Sequence, residues 1–432
     1  MQNFVLLLFV VVVTFPFLTK AGVLPPQMDY LPELFGAVVV VVVIALGVRD
    51  RFRNVRPAYW LVLGAIALNM LCGVLVNSVD PGPVFAGLRT YFRAIPLLLL
   101  PAVYAFSDGQ VEQQMSLLLK LAILQLPIAI YQSLQPYVTG DSIYGTLMVS
   151  SILSMFLICV ACVLTGAYLR GRLTRSRYLL LLVLVLAPAT FNETKGTLVL
   201  LPAAMFVTFL AGTARGKRLK HILIATGLIA AFLAVFVPVY DYTQKDYERK
   251  YVDRDRTLAE YFTEGGLQRY LYGGARGVGA ESRHDVKRFD AVVVPLAYLA
   301  KDPVTLTFGL GIGNVSDSAL GRAFTGHYYR MFEFFLLHAA ARILLETGVL
   351  GLGLVLCLLA LIFNDARRLA QSQGAGRPTV GLAIGWSGAV LVLAFGMFYK
   401  DVIANSAISY LFWYFSGLVI ADRMRLRQQP VV

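Results

Sequence analysis

Long apolar runs separated by short polar connections fill most of the chain, and most approach the ~20 residues that a helix needs to cross a hydrocarbon core. They lie at 3–18, 31–48, 57–76, 85–106, 115–134 and 144–169. Two shorter runs, 178–191 and 197–210, flank the polar break NETKG, and 221–239, 331–363, 380–398 and 404–420 complete the series. The pattern predicts an all-α polytopic membrane protein of about twelve transmembrane helices. The first run has no positive n-region and no small-residue cleavage site, so it is expected to remain as a span.

One long segment breaks the pattern. Residues 240–330 carry thirteen Lys/Arg against twelve Asp/Glu, which fits a folded extramembrane module better than a polybasic tail. Its many tyrosines suit either an interfacial belt or stacking against sugar faces. The chain therefore divides into spans one to nine (1–239), the loop module (240–330), and a returning amphipathic helix with spans ten to twelve (331–432).

Charge sets the expected orientation. Eighteen basic residues gather in five connections, at Arg49–Arg56, Arg170–Arg177, Arg215–Lys220, Arg367–Arg377 and Arg423–Arg427, whereas the turns on the other side hold Lys20, Lys195 and Lys400. By the positive-inside rule both termini are cytoplasmic and the module faces outward, into the periplasm. Composition adds to this: 58% hydrophobic and 15% charged residues fit a membrane protein, and the net charge of +13 is explained by the cytoplasmic connections without invoking nucleic acid. The four cysteines fall inside apolar runs without paired metal-ligand spacing, so neither a disulfide nor a zinc site is expected.

Charges that disobey this orientation are the candidates for chemistry, because a cation in or beside a span needs an anionic partner. Arg89 and Arg93 lie one helical turn apart near the outer end of the fourth span, able to grip a diphosphate or to pair with Asp80. Lys195 beside Glu193 and Lys400 beside Asp401 occupy outer turns; each alone reads as half of a local ion pair, and together with the arginines they indicate an anion site. In FEFFLLHAAARILLETGVLGLG, His338, Arg342 and Glu346 recur every four residues and share a stripe of the returning helix. A histidine or carboxylate there can act as general base and the arginine can hold a diphosphate oxygen; an Arg342–Glu346 pair is the structural alternative. In the module, His284, Lys287 and Arg288 open a run that ends in FGLGIGN, and GGARGVG exposes Arg276. Neither glycine run is followed by the Gly-Lys-Ser/Thr of a phosphate-binding loop.

This arrangement resembles the superfamily of O-antigen ligases and Wzy-type polymerases. The resemblance rests on the twelve-span plan with a large outer loop before the last three spans, PIAIYQ at 127–132, the TKG turn at Lys195, the Arg288-to-Gly313 stretch, and LLETGVLGLG at 344–353. It implies a GT-C-like membrane glycosyltransferase of the inner membrane that takes glycan from undecaprenyl pyrophosphate, without metal, cofactor or nucleotide sugar. Its substrate would be a lipid-linked oligosaccharide, and its partners flippase and chain-length or export proteins of the same pathway. The ligases carry a His-Asn pair beginning nine residues before the glutamate, where this chain has Leu337, so the resemblance favours the polymerase branch, most like xanthan-type repeat-unit polymerases. By the resemblance Arg288, Arg342, His338 and Glu346 would be catalytic, and Arg89, Arg93, Lys195, Arg276 and Lys400 would bind diphosphate. A ligase and, in another class, a flippase of lipid-linked oligosaccharide remain the alternatives.

Overall fold

The structure, a computed structural model, describes residues 1–50, 52–135, 140–192, 194–213, 218–251, 286–372 and 377–428. Among these residues the regular elements are all helical. The first are α1 (Gln2–Lys20), α2 (Leu31–Asp50), α3 (Pro57–Val76), α4 (Pro81–Phe92), α5 (Pro96–Val103), α6 (Asp108–Ser133) and α7 (Ser150–Leu169). Then come α8 (Arg175–Leu186), α9 (Pro188–Phe191), α10 (Thr197–Gly212), α11 (Arg218–Tyr251), α12 (Asp290–Leu299), α13 (Pro303–Phe308) and α14 (Tyr329–Phe332). The last three are α15 (Ala339–Ala370), α16 (Pro378–Tyr399) and α17 (Ser406–Gln428). Even the six valines Val38–Val43 are helical, against their usual preference for strands, because a helix satisfies its backbone N–H and C=O groups internally where water is absent. Prolines open α3, α4, α5, α13 and α16, where the missing N–H costs nothing.

Seven helices among the described residues are long and apolar enough to cross a membrane, or eight if the bent pair α4–α5 makes one crossing. The chain is thus an all-α polytopic membrane protein. The other expected spans do not reach this length and apolarity as single described helices. Run 178–191 is split at Pro188 into α8 and α9, α10 and the apolar part of α11 (Ile222–Pro238) are shorter, and the end of α17 carries Asp422, Arg423, Arg425 and Arg427. The expected fourth span is also not one helix: it bends by 45° between α4 and α5, with Arg93 at the break.

The best-enclosed helices are α7 and α16. Gly166 of α7 and Gly381 and Gly385 of α16 let the two backbones touch: a Cβ on Gly166 would lie 2.1 Å from the Gly381 carbonyl oxygen, and one on Gly385 would lie 2.4 Å from that of Cys162. Small residues at such crossings are how membrane helices gain packing contacts without a hydrophobic driving force. α16 also packs on α10 and α15.

The returning helix is not uniform. Gly348 takes φ 68° and ψ −172°, so α15 is kinked there, and the carbonyls of Leu345 and Glu346 are left without their usual helical donors. The FGLGIGN loop fills the gap: Leu310 N–H donates to Leu345 O at 2.7 Å and Gly311 N–H to Glu346 O at 3.1 Å. Gly309, Gly311 and Gly313 all have positive φ, and a Cβ on Gly309 would meet the Glu346 and Thr347 backbone at 2.5 Å. These glycines serve close backbone packing. A small apolar core of Ala291, Leu299, Leu310, Phe332, Phe335 and Leu344 then seats α12 and this loop against the start of α15, across the expected boundary at 330.

Candidate active site

The site forms where α15 begins. His338 is not on the helical stripe expected for it: it caps α15 in an extended conformation (φ −121°, ψ 124°), and its carbonyl accepts from Arg342 N–H at 3.1 Å. Ala339 N–H, one of the donors orphaned at a helix start, donates to Lys400 O at 3.2 Å, so the turn between α16 and α17 is fastened to the helix.

Arg342 and Glu346 do share a face, but no direct ion pair joins them. Arg342 Nη2 lies 2.7 Å from Asp401 Oδ2, and its Nη1 donates to Ser316 Oγ at 2.9 Å. Ser316 Oγ in turn donates to Glu346 Oε1 at 2.6 Å. The expected local pair of Lys400 with Asp401 is therefore replaced by one across the fold, since Arg342 is the more enclosed cation and holds the carboxylate at bonding distance. Glu346 is 1% exposed, enclosed by Ser316, Tyr91 and the Gly313 backbone. The Tyr91 hydroxyl of α4 stands beside the Glu346 carboxylate, close enough to feel the charges of Glu346 and Arg342.

Two cations act on His338. The Arg288 guanidinium lies over the Tyr399 ring, 4.9 Å from its centroid, and both Arg288 and Lys400 are close enough to act on the imidazole. Burial, then Arg288 and Lys400, push the His338 pKa down from 6.5 to about 4, and its Nδ1 has no hydrogen-bond partner among the described residues. Burial likewise lowers Lys400, with Arg288 adding to the shift while Asp141 and Asp401 oppose it. The Lys195 turn adjoins the same place, because a Cβ on Gly196 would meet the Tyr399 ring at 3.0 Å.

Arg89 and Arg93 turn toward Glu33 of α2, not Asp80. Arg89 binds it with both Nε (2.7 Å to Oε2) and Nη2 (2.6 Å to Oε1), and Arg93 Nη1 approaches Oε1 at 3.5 Å. Arg93 Nη2 also donates to the Ala404 carbonyl. The six residues Lys400–Asn405 thus touch α15, Arg342 and Arg93 together. Arg276 and His284 lie outside the described residues, as does Glu193.

Sequence reasoning missed Ser316, Tyr91 and Glu33. Glu33 had a signal, an acid one turn inside an apolar run, and Tyr91 stands between two arginines already singled out. Ser316 had none, being one hydroxyl in a polar loop. Neither protein-family models nor curated proteins match this chain.

Proposed function

We propose that this protein is a polymerase that joins lipid-diphosphate-linked oligosaccharide units at the outer face of the cytoplasmic membrane, with twelve crossings, both termini inside and the 240–330 module outside. The observation that carries the reading is that Arg288 and Lys400, from two separate segments, act on a buried His338 at the start of α15, where Arg342 holds Asp401 of the Lys400 turn. Such a cationic cluster suits a substrate that arrives with a diphosphate and leaves it behind.

In the reaction a hydroxyl oxygen of the incoming unit forms a bond to the anomeric carbon of the growing chain. The bond from that carbon to the phosphate oxygen breaks, and its electron pair departs on the lipid diphosphate. Arg288 and Lys400 stabilise that developing charge in a site shielded from water, where donors act most strongly. The hydroxyl proton passes to His338 Nδ1. A bound diphosphate offsets the positive charge that depresses this imidazole, so the base strengthens when the donor is in place.

The test is polymerisation of purified lipid-linked repeat units by Arg288→Ala, Arg342→Ala and His338→Ala. Near-normal polymer from both arginine variants sinks the reading. In cells, deletion should accumulate single lipid-linked units outside the membrane; units trapped inside would instead identify a flippase.

A further inference from the structure

PIAIYQ and the start of α17 have no part in the chemistry above, yet one cavity depends on both: α17 lines it, and PIAIYQ holds the loop that forms another part of its wall. It measures about 350 Å³ and lies between the end of α1, residues 28–32, the Leu147–Met148 pair and residues 404–407. That volume is within the usual range for a small-ligand site.

Its wall is held in a demanding conformation. Gln132, the last residue of PIAIYQ, accepts from Tyr144 N–H at 3.1 Å and Gly145 N–H at 2.8 Å, and donates to Gly145 O at 2.9 Å. Gln125, two helical turns earlier, accepts from Thr146 N–H at 2.8 Å. Both glutamines are buried. They clamp the loop so that Leu147 and Met148 line the cavity, with Met148 at φ 68°, a conformation that a non-glycine residue keeps only when its surroundings enforce it. Lys20 is steered by the same loop, its Nζ lying 4.7 Å from the Tyr144 ring centroid.

The lining is mixed. Phe15, Pro16, Met148 and Ala407 supply apolar lining, and Lys20, Asp29, Asn405 and Ser406 supply polar groups. No ion pair joins Lys20 to Asp29. Asn405 Oδ1 caps α17 through Ile408 N–H at 3.1 Å, which leaves the amide NH₂ for a ligand, and Thr19 Oγ1, also in the lining, is buried with no hydrogen-bond partner among the described residues.

Donor-only lysine, acceptor-only aspartate and hydroxyls that do both are what a set of sugar hydroxyls requires, and apolar lining matches the C–H face of the ring. A free phosphate would be repelled by Asp29. We infer that this cavity binds a sugar of the acceptor unit. The assignment rests on the polymerase reading for the word acceptor: Asp401 faces Arg342 at one end of the Lys400–Asn405 turn, while Ala404 and Asn405 line the cavity at its other end. A sugar held there lies across one short turn from the departing diphosphate.

The experiment holds preformed lipid-linked polymer at saturation and titrates single lipid-linked units extracted from cells deleted for this protein. Asp29→Asn and Asn405→Asp, which keeps the capping oxygen and removes the amide NH₂, should raise the half-saturating unit concentration about tenfold, the scale of one lost hydrogen bond to a charged or well-placed group, with the limiting rate and Tm in detergent little changed. Ser406→Phe, which fills the cavity, should raise it further. Unchanged half-saturation in all three, or a fall in limiting rate alone, overturns the assignment. If the wild type makes no polymer, the polymerase reading fails separately. The cavity is then judged by saturation-transfer NMR with the free oligosaccharide released from those units by mild acid. Binding lost in Asp29→Asn supports a sugar site, and absence of binding to the wild type rules it out.

Discussion

The two ends of α15 carry buried charge on opposite plans. At its far end Asp365, fully buried, has both oxygens engaged: Oδ1 by Arg56 at 2.6 Å and by Arg423, and Oδ2 by the Tyr59 hydroxyl at 2.9 Å. Beside it Asp422 is bound by Arg377 at 2.9 Å and Thr379 at 2.5 Å. At its near end Arg342 is shared between Asp401 and Ser316, and His338 Nδ1, with Arg288 and Lys400 acting on its ring, has no hydrogen-bond partner among the described residues. Charge paired between helices fastens them together, even where Arg423 Nη1 and Nη2 keep no hydrogen-bond partner among the described residues. A buried imidazole left unpaired beside like charge is costly to keep and so marks a place where something else must arrive.

The comparison makes graded predictions. The largest effect is expected at the far end: Asp365→Ala strands the buried Arg423 and the half-buried Arg56 and should cost about 3–5 kcal/mol, read as a lower Tm and less protein in the membrane, with the rate per folded molecule preserved. A rate collapse without loss of stability there would erase the distinction between the ends. Next, Arg288→Ala should lower polymerisation by two to three orders of magnitude, about 2.7–4 kcal/mol on the scale of a lost oxyanion donor, while thermal unfolding barely moves.

His338 gives a pH signature of similar size. Its folded-state pKa of about 4 lies below the 6.5 of the unfolded chain, so the unfolded state binds the proton more readily. Stability should be complete above pH 6.5 and fall as pH drops toward 4, by about 3 kcal/mol, and His338→Gln should remove that slope. A wild-type profile flat over this interval would mean that the imidazole is not buried beside like charge. The smallest effect is at the kink. Gly348→Ala, whose Cβ would lie 2.2 Å from the Thr307 carbonyl oxygen, should cost about 1–3 kcal/mol and lower the rate by moving Glu346 and Arg342.

What could be read from the sequence followed from local rules. Apolar run length located the helices, and four-residue spacing placed Arg342 and Glu346 on one face. Two features escaped for lack of a local signal. The bend at Arg93 and the non-helical His338 lie inside apolar runs that look continuous, and only packing shows the interruption. Partner choice escaped as well. Asp401 sits next to Lys400 in the chain yet bonds Arg342, and Glu33 reaches Arg89 from another helix, because an ion pair forms where the fold brings the charges together.

The glycine loop also sets the unit in which this site can be inherited or transplanted. Because Gly309, Gly311 and Gly313 interlock with the broken α15 through backbone atoms, side-chain substitution cannot re-create the joint in a different scaffold. A chimera that exchanges α15 alone loses the donors to Leu345 and Glu346, and one that exchanges the loop alone meets a helix with no gap to receive it. Residues 309–348 form one cassette, and a recombination breakpoint inside it should yield chains that reach the membrane without a working start to α15.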